Sequence, residues 1–116
     1  MKGRRLFGVM LCALLVASAC GQQPATPTKG VFNMFWLEQM SGFQANGGQT
    51  VVGGARLAAE EINRAGGLLG YRVAVEAMDD ESDTDVAVEI ANEIAARVRG
   101  GERVLGVIGH YNSGQT

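Results

Sequence analysis

Between Val31 and Ile108 the spacing of apolar residues alternates between two periods, and five elements follow from it. Val31 to Leu37 (VFNMFWL) is a short apolar run rich in β-formers, and it reads as a strand. The stretch Glu38 to Gly48 (EQMSGFQANGG) breaks the pattern with Ser, Asn and Gly and reads as a loop. Apolar residues then fall at Val51, Val52, Ala55, Ala58, Ala59, Ile62 and Ala65, the spacing of an amphipathic helix. Arg56, Glu60, Glu61 and Arg64 take its wet face, Leu57 stands off the stripe, and Gly66-Gly67 marks its end. Arg72 to Met78 alternates, with Val73, Val75 and Ala77 on one side, as a second strand does. After the acidic turn Asp79 to Asp83, a second apolar stripe runs through Val86, Ala87, Ile90, Ala91, Ile94, Ala95 and Val98. Asp83 suits the N-cap of that helix, and Ser82 with Asp85 has capping-box spacing. Gly100-Gly101 closes it. Val104 to Ile108 (VLGVI) is apolar throughout, which predicts a strand buried on both faces.

Strand–helix–strand–helix–strand with short connections predicts an α/β fold with a parallel sheet. Right-handed crossovers onto opposite faces give three layers and the strand order 2-1-3. The first and third strands are then neighbours whose outgoing connections diverge. Ligands of open α/β sheets bind at the carboxyl ends of strands at such a switch point. The loops there are Glu38–Gly48 and Gly109–Thr116, which selects Ser41, Gly42, His110, Tyr111, Asn112 and Ser113 as candidates.

The start of the chain has a different character. Lys2, Arg4 and Arg5 precede the apolar run Leu6 to Cys20 (LFGVMLCALLVASAC), which at 15 residues is short of the roughly 20 that a spanning helix needs. Together with the small-residue end Ala17-Ser18-Ala19, this reads as a signal peptide over residues 1–19. Ala-Ser-Ala before Cys20 fits ordinary signal peptidase and also the lipobox of bacterial lipoproteins. The lipoprotein reading is preferred, because the polar, Pro-containing segment Gly21 to Gly30 (GQQPATPTKG) suits a flexible tether. Two acyl signals on Cys20 would supply a stable membrane anchor. Residues 31–116 form the folded part.

Charge narrows the function classes. The whole chain has 10 Lys+Arg against 12 Asp+Glu. Three of the basic residues lie in the leader, so the exported part has 7 against 12, a net −5. That balance argues against nucleic-acid binding, and 47% hydrophobic residues argue against disorder. Only Cys20 remains after cleavage, so no internal disulfide forms.

Enzymatic motifs fail on particular residues. Gly48 to Ala55 (GQTVVGGA) has the gap of a phosphate-binding loop, but Gly54 and Ala55 stand where Lys and Ser/Thr are required. Asp79-Asp80 follows the second strand, not the first and third as in phosphorylation receivers, and reads as a solvated turn and helix cap. His110, the only His, lacks an evident nucleophile partner and reads as a loop residue bonded to the backbone. Ser113, followed by Gly114, offers a hydroxyl and loop amides suited to a carboxylate.

The stretches SGFQANGGQTVVGGARLAAEEINRAGGLLG, VAVEAMDDESDTDVAVEIANEI and VLGVIGHYNSG, in this order, resemble the N-terminal part of the leucine-binding-type, branched-chain amino acid substrate-binding proteins of ABC importers. The resemblance implies the first lobe of a two-lobed, hinged binding protein that closes on a free amino acid or similar small molecule. It implies no catalysis and no cofactor. It also implies an exported, periplasmic or cell-surface location and partnership with permease and ATPase subunits. By this resemblance the α-carboxylate binds at Ser113, beside Tyr111 and Asn112, and Ser41-Gly42 stands where the family usually reads Ser-Gly-Pro. Gly47 occupies about the place of the family's aromatic wall, and proteins of this shape also bind amides, urea or aromatic acids. Such proteins have several hundred residues, so the expectation is of a chain that ends inside the first lobe. The same fold in a ligand-sensing domain of a signalling receptor is the alternative.

Overall fold

The computed structural model describes residues 25–115, so the leader, Cys20 and Thr116 lie outside the described residues. Three strands form one parallel sheet: β1 (Val31–Glu38), β2 (Arg72–Asp79) and β3 (Val104–Ile108). Their order is β2-β1-β3, as the crossover argument requires. Helix α1 (Ala45–Arg64) follows β1, α2 (Thr84–Arg99) follows β2, and short 3-10 turns cover Gly42–Gln44 and Ser113–Gln115. The two helices lie on opposite faces of the sheet.

Alternation along β1 distributes its side chains between the helices. Phe35 and Leu37 point toward α2 and form the core with Ile90 and Ile94, against which Met78, Val86 and Val104 pack. Phe35 is fully buried, and the Arg97 guanidinium lies 4.5 Å above its ring. Arg97 also forms a bidentate pair with Glu76 at 2.6 and 2.7 Å and reaches Glu102 at 2.6 and 2.8 Å. Glu102 in turn accepts the Asn33 amide, so one side chain ties β2, α2, β1 and the turn before β3 together.

On the other face α1 crosses β2 and β1, and an apolar groove of about 210 Å³ lined by Met34, Trp36, Ile62, Leu105 and Ile108 stays open beside it. A local irregularity between Asn33 and Met34 accounts for part of this lining. Asn33 faces Val104 but Met34 faces Gly106, so Leu105 is the extra residue and shares a face with Ile108. Asn63 locks α1 onto the outer edge of β2. Its amide donates to the Val73 carbonyl and its oxygen accepts the Val73 N–H, both at 2.8 Å, as a neighbouring strand would.

Two expectations are corrected. The chain turns helical at Ala45, inside the expected loop, and Gly47 and Gly48 belong to the first turn of α1. Gly48 sits there because a Cβ would lie 2.3 Å from the Gln39 carbonyl oxygen. β3 is not buried on both faces: Leu105, Val107 and Ile108 are each about two-fifths to one-half exposed. With β1 in the middle, β3 takes the sheet edge, and no described residue pairs with its outer side. No helix among the described residues is long and apolar enough to cross a membrane.

Candidate functional site

All three strands end at the same rim: β1 at Glu38, β2 at Asp79 and β3 at Ile108. The three loops that leave it carry the candidate residues. Gly109 lets the third loop start where it does. Its φ is +137°, and a Cβ would lie 2.4 Å from the Leu37 carbonyl oxygen, so the chain passes directly across the end of β1.

The β2 loop organises the other two. Asp79 Oδ1 accepts the Met40 amide at 2.9 Å and the Glu81 amide at 3.0 Å. Burial pushes the Asp79 carboxyl up, but bonds from the Ser41 hydroxyl and from the amides of Met40, Glu81 and Ser41 outweigh it and hold it below its ordinary range. Ser82 is the hub. Its hydroxyl donates to Gln39 Oε1 at 2.9 Å and accepts the Asn112 amide at 2.7 Å, while its carbonyl accepts the Gln115 amide at 2.7 Å. Asn112 also donates to Gln44 Oε1 at 3.2 Å. Residues from all three loops therefore meet at one left-handed serine, whose φ is 55°.

Beneath this network lie two buried carboxylates and the single histidine. Asp80 is 2% exposed. Its Oδ1 accepts the Ser82 amide at 3.0 Å, and its Oδ2 lies 2.7 Å from His110 Nδ1. This corrects two readings at once, since Asp80 is not a solvated turn residue and His110 bonds a carboxylate rather than the backbone. Glu38 is 4% exposed, and its Oε1 accepts the Trp36 indole N–H at 3.2 Å. Its Oε2 has no hydrogen-bond partner among the described residues. Burial pushes the Glu38 carboxyl above its ordinary value, against the Trp36 bond; Asp80 adds to the rise and His110 opposes it.

The helix cap differs from the expected capping box. Asp83 alone caps α2, accepting the Asp85 and Val86 amides at 2.8 and 3.2 Å, while Ser82 faces the rim network.

The five expected ligand residues all lie on this rim. Gly42, Tyr111 and Ser113 are exposed on it. Ser41 is engaged by Asp79, and Asn112 spans Gln44 and Ser82. Gly47 projects nothing into it. Sequence reasoning did not select Phe43, which is 99% exposed between Gly42 and Gln44 and is, with Tyr111, an exposed aromatic of this rim. It also passed over Ser82, whose role has no local signal because its partners lie 30 to 43 residues away. No group of three metal-ligating side chains occurs among the described residues. The rim is open, and it can offer hydroxyl and amide donors to an anionic group beside an exposed aromatic ring.

The model of a family described as periplasmic binding protein matches residues 36–116. A Leu/Ile/Val-binding protein homologue of Brucella abortus is 41% identical over 69 residues, which is 60% of this chain and 17% of that protein. An amino acid binding protein of Pseudomonas aeruginosa is 29% identical over 113 residues, 97% of this chain and 29% of that protein. The crystal structure of the branched-chain amino acid transporter substrate-binding protein LivJ from Streptococcus pneumoniae, in complex with isoleucine, superposes with a TM-score of 0.63. It is 29% identical, over 73% of this chain and 23% of LivJ. A fatty acid ABC transporter substrate-binding protein from Thermomonospora curvata, 22% identical with a TM-score of 0.64, shares the fold. The chain thus spans less than a third of the length of the curated relatives it matches.

Proposed function

The chain belongs to the periplasmic binding protein family, and from that premise we propose that it serves as the solute-capturing component of an ABC importer for branched-chain amino acids or closely related small molecules. One observation carries the reading. The rim at the β1/β3 switch point brings Ser41, Gly42, Tyr111, Asn112 and Ser113 together from loops more than 60 residues apart, where open α/β sheets bind ligands. The relatives named for leucine, isoleucine and valine support the ligand class.

In this reading Ser113 and the neighbouring loop amides hold the ligand carboxylate, and Phe43 supplies the apolar wall that Gly47 cannot. Asn112 keeps the two loops in register through Gln44 and Ser82. The protein captures and releases its ligand without chemical change and passes it to permease and ATPase subunits. Export follows cleavage of residues 1–19, and lipidation of Cys20 anchors the product to the membrane.

Titrating the intact protein with isoleucine in a calorimeter tests the ligand assignment. A hydrogen bond to a charged group contributes about 1.5–3 kcal/mol, and each 1.4 kcal/mol is roughly tenfold in affinity. Ser113→Ala should weaken binding about ten- to a hundredfold with the ligand-free melting temperature nearly unchanged. Unchanged affinity would move the carboxylate elsewhere. Cys20→Ser should abolish labelling by a fatty-acid precursor and leave the unprocessed form; normal processing to a soluble product would refute the anchor.

A further inference from the structure

The end of the sheet opposite the ligand rim has its own composition. Leu69 stands at the tip of the Leu68–Tyr71 turn with a left-handed φ of 54° and is 78% exposed. Lys29 packs against Gly70 next to it, and Lys29, Arg72 and Arg103 are all exposed at this end of the sheet. Lys29 Nζ lies 5.9 Å from the Tyr71 ring centre and Arg103 Cζ lies 5.6 Å from the same centre. Arg72, on the other side of that strand, borders a cleft of about 450 Å³ with Arg64, Thr26 and Pro27. The acidic residues Glu38, Asp79, Asp80, Glu81 and Asp83 all gather at the far rim. Close by, Glu60 pairs with Arg64 at 3.7 Å and Glu102 is taken up by Arg97.

Helix polarity explains part of this distribution, since Arg64 and Arg99 sit in last turns, where cations complement the helix dipole. It does not explain Lys29, Arg72 and Arg103, which stand outside both helices. Nor does core packing explain a leucine 78% exposed at a strained turn tip. We propose that this end is a docking surface for anionic lipid headgroups, with Leu69 as its apolar tip and Lys29, Arg72 and Arg103 as its cationic ring. An apolar tip surrounded by cations matches a lipid interface, where tails lie beneath anionic headgroups.

The path of the chain fits the same orientation. Thr28 and Lys29 both donate their amides to the Gly70 carbonyl at 3.1 Å, so the chain enters the fold along this edge. Four residues separate Cys20 from Ala25, and the five steps reach at most about 18 Å when extended. If Cys20 carries the acyl anchor, as proposed above, the cationic end lies within that reach of the bilayer and the ligand rim faces outward. The docking surface itself does not require the anchor.

The test uses the intact protein made from residue 20 onward with Cys20→Ser, so that neither leader nor acyl chain contributes. Co-sedimentation with phosphatidylcholine vesicles is compared with vesicles half of phosphatidylglycerol. Binding should require phosphatidylglycerol and fall when salt shortens the screening length. Near an anionic surface each cation is worth about fivefold in partitioning, so Lys29→Gln, Arg72→Gln and Arg103→Gln together should lose roughly a hundredfold. Leu69→Ser should lose about tenfold by exposing less apolar surface to the lipid. Arg72→Lys with Arg103→Lys should retain binding, which separates lost charge from lost folding. Equal binding to neutral vesicles, an unaffected triple glutamine variant, or binding to soluble polyglutamate without binding to vesicles would each overturn the proposal. Failure here leaves the isoleucine titration and the Cys20 labelling untouched, so the two readings fall separately.

Discussion

At the scale of single residues, the rim proposed to bind ligand rests on groups that never need to touch it. His110 opens the β3 loop, and its ring is held by a carboxylate that is itself held by the Ser82 amide. Cutting that link frees residues 109–115 to move against the β1 loop. We expect His110→Ala to weaken isoleucine binding by about tenfold, within the range of one charge-assisted hydrogen bond. His110→Asn should recover most of the loss, because its amide can donate to Asp80 Oδ2 from nearly the same place; calorimetric titration of both variants decides. Glu38 makes a second prediction, one that depends on pH. Its folded pKa is raised above the ordinary 4.5, so its contribution is fully present below pH 4.5 and is lost as pH rises through the folded value. Glu38→Gln should therefore raise the melting temperature at pH 8 and change it little at pH 4. A lower melting temperature at pH 8 would show that the buried charge is compensated by a group not yet identified.

At the scale of elements, apolar runs and apolar periods locate every strand and α-helix among the described residues, because each turns apolar side chains toward one sheet. Boundaries were less legible. Helix α1 starts at Ala45 although Asn46, Gly47 and Gly48 are poor helix formers; the close pass of Gly48 under the Gln39 carbonyl fixes the first turn, and that contact is invisible along the chain. Gly48→Ala should accordingly destabilise the fold by about 1–3 kcal/mol despite its better helix propensity, measured by urea unfolding. Within the described residues β3 departs from its expected burial for a related reason. Its unbroken apolar run reports two faces that can accept neighbours, but in this sheet it takes the edge. Asp80 was misread because its partner comes from 30 residues downstream. The switch point, by contrast, followed from strand order alone, and strand order followed from handedness. That is why the rim was legible as a place, while the network of Ser82 that shapes it was not.

At the scale of the molecule, five acids gather at the rim, while Lys29, Arg72 and Arg103 stand at the opposite end beside Glu60, Glu61 and Glu102. Between them one partly buried cluster joins the layers. Arg97 on α2 holds Glu76 of β2 and Glu102 of the turn into β3, and it covers Phe35 of β1. The Arg97 hydrogen bond is the largest influence on each carboxyl, and both sit below their ordinary 4.5. The unfolded chain then binds more protons than the folded one, so stability rises with pH across their titration. Their contribution is complete above pH 4.5 and is lost as pH falls through the folded values. Both carboxylates retain contact with water, which screens the pairs and keeps the effect modest. Replacing Arg97 by Leu tests whether this cluster joins the layers or merely decorates them. Leu keeps an apolar cover over Phe35 but leaves two carboxylates facing each other without a cation. Arg97→Leu should lower the urea midpoint at pH 7 and flatten the acid limb of the stability curve below pH 4.5. The double change Arg97→Leu with Glu76→Gln should recover part of the neutral-pH loss, since it removes the uncompensated charge. Urea midpoints at pH 7 and pH 4 for the three proteins measure all of this. An acid limb as steep in Arg97→Leu as in the parent would assign the acid sensitivity to Asp79 at the rim instead, where the same sign of shift occurs.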